Sequence, residues 1–383
     1  MTAAWKPAAR KSPRRRGAWR RPALVAGAAI SALVALGPAG VASARVGLPA
    51  GSPPITWNLP VRFVPKVDTT TSPALADLIS PAMKPETALF STGPSLGHSG
   101  DEITYDVAEN VRSGKWFPSG IVANTGKGGW TALTTQPPSA ALFDATTTDH
   151  DVIVTWGDAA SQQVRYAIGE TGTAGRLTWS QAPGAITGAF TSTGPAVFSP
   201  LFSDTVFVTW EARNSHRINY VIGQVIHNVI KWGKIAQIPG ADTDDPPAVA
   251  EAVVGHTGRL YVFWRESGAS GLLQGAWIAD PLPSGPTVWK AVSSSVTTGA
   301  APAATAIEPG SAFPILVVYR SPTSSQLLYA QLFKTGRLTH ESDWTVPKLR
   351  SQLGPAVLPG VLAANDPGAV GTVTDYVRHC PAC

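Results

Sequence analysis

The sequence has little charge, almost no cysteine and no clear helical pattern. Asp, Glu, Lys and Arg make up 14% of the 383 residues, and Cys and Met occur only 2 times each. No segment carries a convincing apolar stripe at helical spacing, although Ser72 to Met83 could hold one or two helical turns. Glycine and proline are abundant instead, at 37 and 34 residues, and they recur between short apolar runs. This composition is typical of many short strands joined by turns.

Acidic residues are absent from the first 44 residues, which carry eight of the 30 Lys and Arg. An apolar run from Ala23 to Ala35 and a small-residue site at Ala42-Ser43-Ala44 follow this basic segment. The arrangement predicts a secretion signal peptide over 1–44, with paired arginines that leave both Sec and Tat export open. The apolar run is short for a membrane span. We therefore expect a secreted, extracellular and monomeric protein.

The net positive charge of the whole chain, +5, comes from this leader. Without its eight cations the chain keeps 22 basic and 25 acidic residues, a formal charge of −3. Such a chain shows no electrostatic footprint for nucleic acid. The only cysteines, Cys380 and Cys383, end the sequence, and an oxidised pair is the favoured state outside the cell. Free or intermolecular thiols and a redox role are the alternatives for this 380–383 tail.

A repeat of short strands with aromatic markers dominates the chain. Its clearest copy contains Asp151–Trp156, Val164–Gly169 and Leu177–Trp179. The first marker recurs with a period of 51 to 55 residues, at Tyr105, Trp156, Trp210, Trp264 and Tyr319. The second marker recurs at Trp130, Trp179, Trp232, Trp289 and Trp344. Self-similarity at this period, made only of strands, indicates propeller blades or a β-solenoid.

We predict an all-β chain that forms a β-propeller of about six four-stranded blades. The five full repeats are 90–137, 138–190, 191–243, 244–298 and 299–350. A sixth blade would be shared between 352–379 and 55–62, so that N- and C-terminal strands close the ring and cover its sheet edges. Residues 63–89 are either a connecting arm or part of a seventh blade. The whole of 45–383 is then a single domain.

The segment Val164 to Pro183 resembles the repeat of sialidase-type β-propellers, which are also called BNR or Asp-box propellers. Thr178-Trp179-Ser180 and a glycine-rich turn match that repeat, whereas Ile168 and Glu170 stand near its usual Ser and Asp. A sialidase needs three arginines around a carboxylate, a tyrosine nucleophile and an acid-base aspartate. Arg165, Arg217, Arg265 and Arg320 could supply part of that set, but no motif marks them.

A second, weaker resemblance is to secreted actinobacterial propellers of the dispase autolysis-inducing type, in leader, size and all-β repeat. It implies an extracellular protease as a partner. Fold alone does not carry function, so neither resemblance fixes an activity.

Candidate binding residues follow the second strand of each repeat, on the face that B–C and D–A loops would share. They are Tyr105, Asp106, Trp156, Asp158, Trp210, Glu211, Arg213, Trp264, Arg265, Glu266, Tyr319 and Arg320. Aromatic rings beside charged hydrogen-bonding groups suit sugars and also protein partners. The alternative is that the rings pack between blades and the charges are solvated or paired.

The leading hypothesis is a secreted, non-catalytic propeller that binds an extracellular protein or a glycan and needs no cofactor. The alternatives are a multivalent lectin and a sialidase-like glycoside hydrolase, whose carboxylate pair could come from Asp158, Glu211 and Glu266. The densest acidic cluster, Asp242, Asp244 and Asp245, is a weak calcium candidate. Enzymatic activity is the less favoured expectation.

Overall fold

The computed structural model describes five antiparallel sheets of four to six strands and one separate strand pair, all in one chain. The described residues are 69–79, 85–94, 100–110, 115–117, 120–124, 129–143, 151–172, 175–179, 182–200, 204–226, 229–254, 257–280, 288–306, 314–339, 345–350 and 354–355. They all fall within the compact unit Ser43–Cys383. The predicted leader and the two cysteines, Cys380 and Cys383, lie outside these residues.

Each of the five larger sheets is one propeller blade, and the separate strand pair belongs to the chain segment of blade 1. Blade 1 contains β1 (Ala74–Ile79), β2 (Pro85–Pro94), β3 (Asp101–Asn110), β4 (Lys115–Trp116), β5 (Gly120–Ile121), β6 (Ala123–Asn124), β7 (Trp130–Thr131) and β8 (Leu133–Thr134). Blade 2 contains β9 (Ser139–Phe143), β10 (Asp151–Gly157), β11 (Gln163–Thr171), β12 (Leu177–Trp179) and β13 (Gly184–Phe190). Blade 3 contains β14 (Pro195–Phe198), β15 (Thr205–Glu211), β16 (Arg217–Ile226), β17 (Val229–Trp232) and β18 (Ala236–Asp242).

The last two described blades repeat this order. Blade 4 contains β19 (Ala248–Val254), β20 (Thr257–Arg265), β21 (Leu273–Asp280) and β22 (Lys290–Val292). Blade 5 contains β23 (Ala303–Ala306), β24 (Ile315–Arg320), β25 (Gln326–Leu332), β26 (Leu338–Thr339) and β27 (Thr345–Arg350). Successive strands A, B, C and D are antiparallel neighbours in every blade.

The protein is therefore an all-β β-propeller, as the repeat predicts. The prediction of six or seven blades is not met by the described residues, which form five. The predicted sixth blade falls on 352–379 and 55–62, where only Gly354 and Pro355 are described. A short 3-10 turn lies at Gly268–Ser270, and no helix in the described part of the chain is long and apolar enough to span a membrane.

The innermost strands β1, β9, β14, β19 and β23 pack in that order, each against the next. Many of their side chains are small, such as those of Ala74, Ala76 and Ala248, because the strands lie close together near the propeller axis. The B strands behind them are buried on both faces, which explains uninterrupted apolar runs such as Val152 to Val154.

The outer D strand is built in two pieces in blades 2, 3 and 5. In blade 3, β17 pairs with the end of β16, and β18 pairs with its start. A register shift between Arg217 and Asn219 marks where β18 bends. In blades 2 and 3 the tryptophan markers predict the first piece, whereas no feature of the repeat predicts the second.

Blade 1 begins one strand earlier than predicted. Residues 74–79 and 85–94 form its A and B strands, although the sequence predicts a connecting arm or a partial blade for 63–89 and starts the first full repeat at residue 90. Tyr105 therefore lies on the C strand, and Ser91 stands where the other blades have Trp or Tyr at the end of strand B. The missing aromatic explains why the period placed this repeat wrongly.

A threonine begins each D–A connection and turns the chain toward the next inner strand. The Thr243 hydroxyl donates to the Asp245 carbonyl oxygen and accepts from the Asp245 amide, both at 3.1 Å. The same turn occurs at Thr69, Thr134 and Thr298, and the Thr191 hydroxyl accepts two backbone amides. A proline follows four residues later in all five, at Pro73, Pro138, Pro195, Pro247 and Pro302.

Candidate functional site

The B–C loops and the D–A connections share one face of the propeller, as predicted. The Glu211 carboxylate, at the end of a B strand, accepts the hydroxyl of Ser192 at 2.6 Å and its amide at 3.1 Å. Arg265 reaches from the next B strand to Asp245, with Nη1 3.0 Å from Oδ2. Hydrogen bonds between the two kinds of loop thus fix this face.

The predicted aromatic ring on this face is mostly closed to a ligand. Trp156, Trp210 and Tyr319 are each only 1% exposed, and burial raises the pKa of the Tyr319 hydroxyl. Tyr105 is buried on strand C, where it contacts the backbone of Leu177 in blade 2. These rings pack within and between blades. Trp264 differs, because it is buried and yet lines an open cleft.

The charged members of the predicted ring are mostly engaged within the fold. Arg165 Nε lies 2.9 Å from Asp158 Oδ2. Burial acts to raise the pKa of Asp158, but the hydroxyl and amide of Ser161 and the charge of Arg165 outweigh it, so the pKa is lowered. Asp106 is buried on strand C. Only Arg213 is fully on the surface, where its amide bonds the Phe190 carbonyl.

The four arginines considered for a sialidase do not converge. Arg165, Arg217, Arg265 and Arg320 belong to four different blades. Arg265 Nε donates to the Thr298 carbonyl at 3.2 Å, and an Arg320 amino group donates to the Gly299 carbonyl. Arg217 contacts Gln237 at 3.4 Å. The structure therefore gives no support to a sialidase-type arginine cluster.

The acidic cluster is also occupied by protein groups. His216 Nδ1 lies 2.7 Å from Asp244 Oδ1, and Asp244 Oδ2 accepts the Gly268 amide at 3.0 Å. Asp245 pairs with Arg265, which leaves Asp242 apart from both. Within the described ranges, no three His, Cys, Asp or Glu side chains are grouped to hold a metal. The calcium candidate is thus not supported.

An open cleft of about 530 Å³ lies between blades 3 and 4. The outer strand β18 forms one wall, and β20, β21 and the loop after β20 form the other. The residues that line it include Gly240, Asp242, Trp264, Glu266, Ser267, Ser270, Gln274 and Trp289. Two carboxylates and two indoles therefore border one space on the loop face.

The backbone places Asp242 and Glu266 on adjacent, hydrogen-bonded segments. Thr243 and Glu266 form an isolated antiparallel bridge, and the Ser267 amide donates to the Asp242 carbonyl at 3.2 Å. Gly240 has a φ of 68°, and a side chain there would meet nothing within 4 Å. Glycine is thus required by the backbone, and it leaves that side of the cleft open.

The loop after β20 is held by several bonds. The Ser270 hydroxyl donates to Glu266 Oε2 at 2.7 Å, and the Glu266 amide donates to the Leu272 carbonyl at 2.8 Å. Gly271 adopts a left-handed conformation with a φ of 55°, and its carbonyl accepts the Thr298 amide at 2.8 Å. The Glu266 carboxylate is therefore positioned before any ligand arrives.

No other described blade interface has this carboxylate pair. The residue before each D–A threonine, which is Asp242 here, is Asp68, Leu133, Phe190 or Thr297 elsewhere, and the blade that follows Asp68 has Gly93 where blade 4 has Glu266. The residue two places after the B-strand aromatic, which is Glu266 here, is Asp158, Ala212 or Ser321 elsewhere. The cleft is therefore a single site, unlike the near-equivalent sites that a multivalent lectin predicts.

The sequence predictions include Glu266 as a candidate binding residue and Asp242 as a calcium candidate, but they do not place the two residues in one site. Trp289 is predicted only as a repeat marker. Trp289 belongs to the second set of aromatic markers, and its indole meets Tyr220 of blade 3 with ring centroids 5.2 Å apart. Acidic residues occupy both equivalent positions at only this described interface, but the sequence does not show that the two positions meet.

The fold has clear relatives among solved structures. The α-L-arabinanase of Penicillium chrysogenum superposes with a TM-score of 0.50 at 12% identity, covering 78% of this chain and 86% of that one. AofleA of Arthrobotrys oligospora, as an arginine-to-alanine variant, gives 0.50 at 14%, covering 76% of each chain. The α-L-arabinofuranosidase Arb93A of Fusarium graminearum gives 0.49 at 12%, covering 75% and 84%. No protein family profile and no curated protein matches the sequence.

At such identities the likeness concerns the fold. The fold is shared with glycoside hydrolases such as the arabinanase. This finding speaks against two expectations from the sequence, that the chain is a non-catalytic binder and that enzymatic activity is the less favoured interpretation. The resemblances to sialidase-type and dispase autolysis-inducing propellers are not confirmed.

Proposed function

We propose that the protein is a glycoside hydrolase that acts in the cleft between blades 3 and 4. The observation that carries the proposal is the unique pairing of Asp242 and Glu266 beside Trp264 and Trp289. Hydrolysis of a glycosidic bond uses two carboxyl groups, one as general acid and the other as base or nucleophile. A cleft with one such pair supports this chemistry better than any other described site.

The indoles supply the means of holding a sugar. The faces and edges of aromatic rings pack against the CH groups of a pyranose or furanose, and flanking polar groups accept its hydroxyl hydrogens. Gln274 and Ser267 provide such polar groups on the cleft wall. A cleft of about 530 Å³ suits a short stretch of a glycan chain, within the ordinary range for ligand sites.

The arabinanase fold supports the same class of reaction, without selecting its substrate. The test is to incubate the purified mature chain with arabinan, galactan, xylan and mannan and to measure newly formed reducing ends. We expect release from at least one polysaccharide, and its loss in the double variant Asp242→Asn/Glu266→Gln. No release from any glycan, at high enzyme concentration, would contradict the proposal.

We propose that the enzyme works outside the producing cell, with a glycan as its partner. The basic leader, the apolar run and the small-residue site after it support export. Sequencing the N-terminus of protein recovered from culture medium tests this. A start near Arg45 is expected, and retention of the leader in a cell-bound form would contradict it.

We propose a sixth blade that closes the ring. Its support is a sixth copy of the D–A signature, since Ser351 precedes Pro355 by the same four residues as in the other five. A side chain at Gly354 would come within 3.0 Å of Ser72 Oγ and 2.9 Å of the Ala301 carbonyl oxygen. The chain after blade 5 thus meets the start of blade 1, where Thr69 begins a D–A turn whose D strand would precede it.

A further inference from the structure

The charge around the cleft points to a substrate class. We propose that the cleft accepts neutral sugars and rejects glycans whose reacting units carry carboxylate or sulfate groups. The inference rests on the proposed function, and it concerns which glycan is accepted rather than whether the site is catalytic.

Cations are missing from the cleft walls. Among the described residues that line it, Asp242 and Glu266 are the only charged ones. The described lining therefore contains two negative charges and no cation that could pair with an anion.

The nearest cations are directed elsewhere. Arg265 follows Trp264 in sequence, but its guanidinium binds Asp245 and the Thr298 carbonyl. Lys290 follows Trp289, but its ammonium lies 4.8 Å from the centre of the Trp277 ring. Arg217 is opposite Asp242 in the β16–β18 register, yet it contacts Gln237 and forms no ion pair with Asp242.

An anionic substituent in this cleft would be repelled. It would lose its water, meet two carboxylates at close range and gain no counter-charge. A neutral pyranose or furanose pays no such electrostatic cost and keeps the indole contacts and hydroxyl hydrogen bonds. The same reasoning excludes sialosides as substrates, since no arginine among the described lining residues could pair with their carboxylate.

The test uses matched substrates that differ only by one carboxylate. Initial rates are measured on 4-nitrophenyl glucoside and glucuronide, and on the galactoside and galacturonide, in both anomeric forms. Binding is measured separately by quenching of tryptophan fluorescence with glucose, galactose and their uronic acids. We expect any neutral member that reacts to exceed its uronide about tenfold or more in kcat/KM, and to bind more tightly by a similar factor.

A charge added to the wall sharpens the test. Gln274 lines the cleft opposite Trp264 without being one of the two carboxylates. Gln274→Lys is expected to improve uronide binding several-fold relative to Gln274→Met, which removes the same amide without adding a charge.

The outcomes separate the two claims. Binding of neutral sugars without hydrolysis of any glycoside would contradict the proposed function and leave the inference standing. Uronic acids that bind or react as well as their neutral partners would overturn the inference while the hydrolase stands. Failure of every sugar to bind would overturn both.

Discussion

The edge of the Trp179 indole in blade 2 meets the Tyr105 ring of blade 1, with ring centroids 5.9 Å apart and planes inclined by 66°. The Tyr105 hydroxyl also donates to the Leu177 carbonyl at 3.3 Å and accepts its amide at 3.1 Å. The same edge-to-face contact joins the next two interfaces, through Tyr166 with Trp232 and Tyr220 with Trp289. Neighbouring blades are thus joined by aromatic pairs.

Replacing Trp179 with alanine should destabilise the protein by about 3–5 kcal/mol, because a buried indole is lost from an interface that cannot collapse around the space. Urea unfolding followed by far-ultraviolet circular dichroism measures the change. Val288→Ala is the control, since Val288 is 76% exposed and should change stability by less than about 0.5 kcal/mol. Equal effects of the two substitutions would show that the aromatic pair does not join the blades.

Arg265→Ala should lower stability by about 1–3 kcal/mol, because Asp245 loses its cation and the Thr298 carbonyl loses a donor. Arg265→Lys should recover only part of this, since an ammonium cannot reproduce both bonds from one planar group. The measurement is the denaturant midpoint of each variant. Full recovery by lysine would indicate that charge alone is needed there.

Asp158 should make the protein more stable at neutral than at acid pH. Its folded pKa lies below the ordinary value of 3.8, because the Ser161 donors and Arg165 outweigh burial. Its stabilisation is therefore complete above the unfolded pKa and disappears as the pH falls through the folded one. Asp158→Asn should be less stable than the wild type at pH 7, and the difference should vanish toward about pH 2.

The control for this titration is Asp204→Asn, at an exposed position whose side chain forms none of these bonds. Thermal unfolding of the three proteins between about pH 2 and 7 gives the comparison. A difference between the wild type and Asp158→Asn that stays constant over this range would contradict the assignment.

The sixth blade can be tested by truncation. A chain that begins at Thr69 lacks the segment 55–62 that we expect to complete the blade, and should unfold at lower urea concentration and associate through the exposed edge. A chain that begins at residue 53 is the matched control, since it keeps the strand. Equal midpoints and equal elution volumes for the two would contradict closure by this segment.

Much of the fold can be predicted from the sequence because one blade position demands an aromatic. Trp156, Trp210, Trp264 and Tyr319 mark four blades correctly, as each fills the same buried site at the end of strand B. The marker does not identify blade 1, because Ser91 occupies the equivalent site and hydrogen-bonds to Thr104. The repeat period then assigns the strand B marker to Tyr105, which lies on strand C, the next strand of the blade.

The cleft could not be predicted in the same way. Asp242 and Glu266 lie 24 positions apart and belong to different repeats, and their proximity depends on the bridge between Thr243 and Glu266. The predicted ring of charges consists of residues at the ends of the B strands. Among them, Asp158, Glu211 and Arg265 bind partners within the fold. Pairing across blades, which sequence periodicity does not contain, decides which charges remain for a ligand.

The most direct test of the central claim is the rate at which Glu266→Gln and Asp242→Asn hydrolyse the best substrate of the wild type. We predict a loss of about 10²–10⁴-fold in kcat for each, because each removes a group that transfers a proton or attacks the sugar. Glu170→Gln, at an exposed position on the opposite face of blade 2, should keep full activity. Wild-type rates in both cleft variants would contradict the account and remove this cleft as the active site.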